Sequence, residues 1–176
     1  MEQNFVSEEK PWISPDYSEL SQGSLGYSDA TFIPDPEMRV RVDFWKRIYS
    51  EFTTYQGLIH DTKHVQLVYE SVDFSSILNS SMSERMKKKK KRQMVRDAKK
   101  KAERIIRRIS KVKDPSTLSG DDLRYWKMFE TVEGKNKFKR AARKNRIRFQ
   151  LGQKDRFVQG IFYSGRYLEE MEKHFQ

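Results

Sequence analysis

The sequence predicts an all-α fold, an irregular bundle of about five to seven helices with one long basic helix and an extended N-terminal leader. Three observations lead to this prediction. Apolar residues after position 37 recur mainly at intervals of three and four, the spacing of one helix face. Aromatic residues make up 12% of the 176 residues, too many for a disordered chain. Only residues 65–74 alternate weakly, and an isolated strand would have no partner.

Composition restricts the classes of protein that the chain can belong to. Its length suits one domain with a real core, and its 36 Lys and Arg against 25 Asp and Glu give a net charge of +11. The absence of cysteine excludes disulfides and thiolate metal sites. No apolar run is long enough to span a membrane. The N-terminus lacks a signal peptide, which indicates either a cytosolic protein or a mature chain whose signal has been removed.

The first 37 residues are rich in Pro, Ser and Gly, a composition that opposes regular structure. We therefore predict an extended leader over residues 1–37 and a single helical domain over residues 38–176. Aromatic residues in the leader favour a segment held along a folded surface, and a mobile tail is the alternative.

The first predicted helix starts at Pro36, with Asp35 as its N-cap, and runs for roughly 18 residues to a point near Gly57. Its apolar stripe is expected to face the core and consists of Met38, Val42, Trp45, Tyr49 and Phe52, widened by Phe44 and Ile48. Residues 65–74 are rich in Val, Tyr and Phe, so both a short strand and a helix remain open there.

The most basic stretch, Met82–Val112, is predicted to be one long helix. Residues 85–112 hold 15 basic and 2 acidic residues, for a local charge of +13. The second half nevertheless keeps an apolar stripe at helical spacing, which a disordered basic tail has no reason to keep. The stripe consists of Met94 or Val95, Ala98, Ala102, Ile105, Ile109 and Val112. Pro115 predicts that the helix ends near residue 113.

Three or four further helices are predicted in the C-terminal third. A loose capping box at residues 119–122 starts a short helix that closes around Gly134. Residues 135–148, with eight basic and no acidic residues, keep an apolar side and are predicted to be helical. The chain then continues as helix to about Tyr163, breaks at residues 164–165, and ends in a helix whose inward face is Leu168, Met171 and Phe175.

The sequence carries almost no signature of catalysis. Its glycines are isolated, so there is no phosphate-binding loop, and it has no thiol nucleophile. His60 and His64 flank Asp61 at a spacing that two metal ligands on a helix can have, but no third ligand accompanies them. Capping of the next element is the preferred interpretation of His60 and Asp61. We therefore predict no catalytic residue, no metal site and no cofactor in this chain.

Charge is the remaining functional signal. Two basic helices side by side would attract a polyanion, for which nucleic acid, anionic lipid and acidic cell-wall material are candidates. A solvated helix end is the simpler account of residues 87–92. The candidate polyanion-binding residues are Lys87, Lys88, Lys89, Lys90, Lys91, Arg92, Lys99, Lys100, Lys139, Arg140, Arg143 and Lys144. Two other hypotheses stay open: a cytosolic nucleic-acid-binding helical protein, and an adaptor with an apolar patch at Phe157, Phe162 and Tyr167.

Two blocks of sequence carry a resemblance to a known family. The first is FWKRIYSEFTTYQGLIHDTKHVQLVYESVDF, residues 44–74, and the second is RIRFQLGQKDRFVQGIFYSGRYLEEMEKHF, residues 146–175. The matching features are an aromatic helix leading to QGLIHD, then YE-VDF, and R-RFQ-GQ-DRF before SGRYL. These blocks, with a charged and variable middle, resemble the region that precedes the catalytic domain in proteins like membrane-bound lytic murein transglycosylase D.

The resemblance implies a non-catalytic helical domain that supports or positions a C-terminal catalytic domain on the bacterial cell wall. The family's catalytic Glu belongs to that domain, and no residue of this chain matches it. The implied partners are peptidoglycan, or another anionic envelope component, and the catalytic domain of the same parent protein. The implied location is the periplasmic side of the cell envelope; a chain that is native at full length would instead be cytoplasmic.

Overall fold

The computed structural model describes residues 35–175, and residues 36–176 form one compact unit. The fold is mixed α/β, so the all-α prediction is wrong. A three-stranded antiparallel sheet in the order β2-β1-β3 lies at its centre. The predicted leader falls almost wholly on residues 1–34, which lie outside the described residues.

The elements follow one another along the chain as helices, two strands, more helices, a third strand and a helical end. Their bounds are α1 (Pro36–Ser50), β1 (Gln56–Asp61), β2 (Val68–Asp73), α2 (Ser75–Leu78), α3 (Glu84–Ile109), a 3₁₀ turn (Pro115–Thr117), α4 (Gly120–Met128), α5 (Lys137–Ala141), β3 (Ile147–Leu151), α6 (Lys154–Ser164) and α7 (Leu168–Phe175).

The sheet joins strands that are far apart in sequence. β1 pairs with β2 through a short connection, and it also pairs with β3, about ninety residues further along the chain. A bulge between Ile59 and His60 leaves Tyr69 as an extra residue in β2. Tyr69 and Glu70 therefore lie on the same side of the sheet, the side that α3 covers. The strand alternative for residues 65–74 was correct.

Residues 135–148 and the segment after them to about Tyr163 were predicted to be helical. Within residues 135–153 only Lys137–Ala141 is helical and Ile147–Leu151 form β3, whereas α6 confirms the helix over Lys154–Ser164. The helix prediction failed because β1 is buried on both faces. Because both faces are buried, apolar and polar residues do not alternate in QGLIHD. The sequence therefore gives no sign that β1 is a strand with which β3 can pair. The apolar spacing around Phe138 therefore predicted one long helix, where the structure has the short helix α5 followed by β3.

Each face of the sheet has its own hydrophobic core. α3 and α4 cover one face, where Ile59, Tyr69 and Ile106 are fully buried. α1 covers the other face through Phe44 and Ile48, which meet Leu58 and Val65.

The helix α1 ends at Ser50, earlier than predicted, and turns a different face inward. The carbonyl of Ile48 accepts from the backbone N–H of Gln153 at 2.9 Å, and the loop before α6 thereby satisfies a terminal group of the helix. Phe44 and Ile48 are buried, whereas Met38, Trp45 and Tyr49 are at least 40% exposed. The predicted stripe was therefore wrong at these three positions.

The long helix α3 matches its prediction closely, ending at Ile109 with Ala102, Ile105 and Ile109 buried. The capping box before α4 does not form, since Ser119 makes no side-chain cap and Asp122 instead binds Arg108. The last two helices have no buried residue among their described side chains. Leu168 and Met171 are each 52% exposed rather than facing a core, and the side chain of Phe175 lies outside the described set.

Candidate polyanion-binding surface

One flank of α3 is electrically neutralised by the elements beside it. The Lys101 ammonium lies 3.0 Å from carboxylate oxygens of both Glu70 on β2 and Asp121 on α4. Seven residues further along the helix, Arg108 forms a bidentate pair with Asp122. Positions seven residues apart share a helix face, so these pairs tie one flank of α3 to the acidic edge of β2 and α4.

The opposite flank of α3 carries positive charge without such compensation. We call it the cationic flank, and it consists of Arg85, Lys88, Lys89, Arg92 and Arg96. Spacings of three, four, seven and eleven residues put these side chains on one helix face. All five are exposed, and within residues 35–175 none of them forms a salt bridge. The flank spans about 16 Å along the helix, at 1.5 Å per residue.

The structure separates the predicted residues of α3 by environment. Lys88, Lys89 and Arg92 lie on the cationic flank, whereas Lys90 projects from a different side of the helix. The remaining residues of the predicted basic run are half-buried or engaged in local contacts. Lys87 pairs with Glu84 at 3.2 Å, and Lys91 lies 4.8 Å above the Phe74 ring.

Lys99 and Lys100 extend this basic region toward the middle of α3. Lys100 is exposed, but Lys99 is half-buried. Burial lowers the pKa of Lys99, and the nearby guanidinium of Arg148 on β3 lowers it further. Arg148 therefore adds positive charge beside α3 that the prediction did not include.

The second predicted segment forms a separate basic region. Lys139, Arg140, Arg143 and Lys144 are all exposed on α5 and the turn after it. Although α5 packs on α3, Arg140 also lies near His64, whose pKa is lowered first by burial and to a smaller extent by cations that include Arg140. His64 follows the Asp61 end of β1, whereas the cationic flank adjoins the other end of the sheet, near Leu151.

A groove lies between the cationic flank and the edge strand β3. Its floor is apolar, formed by Phe74, Val95, Phe149 and Leu151. Its rim is basic, formed by Lys91, Arg92 and Arg96, and its volume is about 390 Å³. We call it the α3–β3 groove.

Arg85, Arg96 and Arg148 were missed as candidate residues, although helical spacing from Lys88 and Arg92 would have identified the first two.

A buried ion pair joins the end of β1 to the start of β3, at the end of the sheet away from the cationic flank. The Asp61 carboxylate is fully buried and accepts two hydrogen bonds from the Arg146 guanidinium, through Nε at 3.1 Å and through Nη2. It also accepts from the backbone N–H groups of Lys63 and His64 at 2.8 and 2.9 Å. Burial and the Asp61 charge raise the pKa of Tyr69, whose protonated hydroxyl donates to Asp61 at 3.2 Å.

The two histidines serve the sheet and its turn. The His60 ring lies 4.7 Å from the Phe44 ring, and its Nδ1 is 3.1 Å from the carbonyl oxygen of Asp61. Asp61 caps the turn that contains His64, in line with the capping interpretation of this segment. Within residues 35–175, no three side chains of the metal-ligating types lie close enough together to hold a metal ion.

Burial of His60 predicts a pH-dependent stability. Desolvation lowers the pKa of His60 below its ordinary value of 6.5, so below that pH the unfolded chain binds protons that the folded chain does not. Stability should therefore fall as the pH drops from about 7.5 to about 5.5. Urea unfolding at both pH values should show a smaller loss for His60→Leu than for the parent chain. An equal loss in both proteins would contradict this role of His60.

The fold and this surface together define an α/β domain with a long basic helix that has one neutralised flank and, between Arg85 and Arg96, a cationic flank. Comparisons of the chain with protein-family models, with curated proteins and with solved structures found no match. No helix of the described region is both long enough and apolar enough to cross a membrane.

Proposed function

We propose that the chain is the non-catalytic domain of a peptidoglycan lytic transglycosylase-like protein and positions a catalytic domain on the cell wall. The observation that carries this proposal is the joining of the two family-like blocks. The first block supplies β1 and β2, the second supplies β3, and Asp61 of one binds Arg146 of the other. The charged segment between the two blocks, which includes α3, suits a domain that presents a surface to a partner.

The C-terminal helices offer a surface for the catalytic domain. α6 reaches the rest of the fold mainly through α1, where the Phe157 ring lies 5.4 Å from the Tyr49 ring. Large apolar side chains on α6, α7 and the turn between them are 47–65% exposed, an arrangement typical of an interaction surface. They are Phe157, Val158, Ile161, Phe162, Tyr163, Tyr167, Leu168 and Met171. This set includes the three residues of the adaptor hypothesis.

The cationic flank is the proposed contact with peptidoglycan or another anionic envelope component. Exposed cations without acidic partners can attract a polyanion with their full charge. The charges of Lys101 and Arg108 are instead neutralised by the carboxylates of Glu70, Asp121 and Asp122. In this proposal the protein works on the periplasmic side of the envelope. The chain itself contributes binding and positioning, and the chemistry belongs to the catalytic domain.

Sedimentation with purified sacculi tests the proposal. The protein should sediment with sacculi at low salt and remain in the supernatant at high salt, because exposed charges separated by more than a Debye length are screened. Recovery in the supernatant with and without sacculi at low salt would contradict it. A mixed-sequence oligonucleotide that binds more tightly than sacculi do would favour the nucleic-acid alternative instead.

A further inference from the structure

The outer side of β3 is an unpaired strand edge. The backbone N–H of Gly152 donates to the carbonyl of Gln56, and the N–H of Thr62 donates to that of Arg146. Along an antiparallel pair, the backbone N–H and C=O groups of alternate residues point toward the neighbouring strand. Those of Arg148 and Gln150 therefore point toward β1, whereas those of Phe149 point away from it. Within residues 35–175, no strand pairs with this side of β3 and no hydrogen bond reaches the backbone of Phe149.

This edge borders the α3–β3 groove. The side chains of Phe149 and Leu151 form part of the groove floor, and Arg92 and Arg96 stand on the rim opposite. Among the described residues, an unpaired N–H and C=O, an apolar floor and two guanidinium groups without a carboxylate partner therefore occur together in one place. Strand edges of this kind are templates on which an extended peptide adds as a further strand.

We propose that the α3–β3 groove binds an extended acidic segment of a partner protein, which adds to the edge of β3 as a fourth strand. The segment's backbone bonds to Phe149, its apolar side chains lie on Phe149 and Leu151, and its carboxylates pair with Arg92 and Arg96. Charge complementarity selects this partner, since a basic segment would meet a row of like charges on the cationic flank. The site does not depend on the proposed role at the cell wall.

The pairing geometry dictates the pattern of a suitable peptide. Every second residue of an added strand faces the groove, so glutamate and valine should alternate at those positions, with serine between them. The probe is therefore an acetylated synthetic peptide that repeats Glu-Ser-Val-Ser. Because Arg92 and Arg96 lie one helical turn apart, a single glutamate of the repeat can pair with either guanidinium group.

Fluorescence anisotropy with the labelled peptide and the full chain tests the site. The peptide should bind, and Arg92→Gln with Arg96→Gln should weaken binding by about tenfold. The matched control is Lys90→Gln with Arg104→Gln, which removes the same charge from another side of α3 and should leave the affinity within about twofold. All four positions are exposed, so each double variant should retain the circular dichroism of the parent.

A second probe separates strand addition from simple charge attraction. The same peptide with N-methylated valines cannot donate the backbone hydrogen bonds that groove-facing residues of an antiparallel strand make to β3, and it should bind about tenfold more weakly. No binding of the parent peptide, equal weakening by the two double variants, or undiminished binding of the N-methylated peptide would each overturn the proposal.

Discussion

Replacing Asp61 by alanine is expected to lower the free energy of unfolding by about 3–5 kcal/mol, because the variant leaves the Arg146 guanidinium without its buried partner. The carboxylate has no solvent exposure and accepts from Arg146, from Tyr69 and from two backbone N–H groups. Urea unfolding monitored by circular dichroism measures the loss. The predicted loss is large because removal of one partner also frees two backbone donors in the β1–β2 turn.

The control for this prediction is Asp43→Ala, an exposed carboxylate in α1, which should change stability by no more than about 0.5 kcal/mol. The double variant Asp61→Ala with Arg146→Met should recover part of the lost stability, since no buried charge then remains unpaired. A loss below about 1 kcal/mol for Asp61→Ala would show that this ion pair does not hold the two blocks together.

Replacing Gly152 by alanine is expected to cost about 3 kcal/mol or more, because its new methyl group would meet backbone rather than a movable side chain. A Cβ at this position would lie 2.3 Å from the carbonyl oxygen of Phe52 and 2.4 Å from the oxygen of Thr53. This close approach packs the residues after β3 against the segment that follows α1, where the Lys154 N–H donates to the Phe52 carbonyl at 2.9 Å. Thermal unfolding measures the effect.

The contrasting variant is Gly160→Ala in the middle of α6. A Cβ there meets nothing within 4 Å, and alanine favours a helix over glycine by about 1 kcal/mol. Gly160→Ala should therefore raise the midpoint of unfolding while Gly152→Ala lowers it. Similar midpoints for the two variants would rule out the close contact that we describe between Gly152 and the segment after α1.

The helices could be predicted where local spacing controls structure. α3 needs only its own periodic stripe at Ala102, Ile105 and Ile109, and Pro115 then limits its length. The sheet depends instead on pairing between residues 56–61 and 147–151, which no local pattern records. A strand buried on both faces has no alternation, so QGLIHD carries no period that a single sequence reveals.

The candidate site could be predicted only in part, because some of its features are local in the sequence and others depend on tertiary contacts. The positive charge of residues 87–92 is plain in the sequence, but the acidic partners on β2 and α4 that neutralise Lys101 and Arg108 are distant in the chain. Their tertiary positions divide α3 into a neutral and a cationic flank. The exposed residues Trp45, Leu168 and Met171 were expected in the core, because an amphipathic stripe predicts burial without showing which partner covers it.

The most direct test of the proposed function compares two triple variants in the sacculus sedimentation assay. Lys88→Gln, Lys89→Gln and Arg92→Gln remove three charges from the cationic flank, whereas Lys90→Gln, Arg104→Gln and Lys111→Gln remove three exposed charges elsewhere. If the cationic flank contacts the wall, the first variant should lose most of its low-salt binding and the second should keep it. Equal binding by the two variants would contradict a defined wall-binding surface on α3.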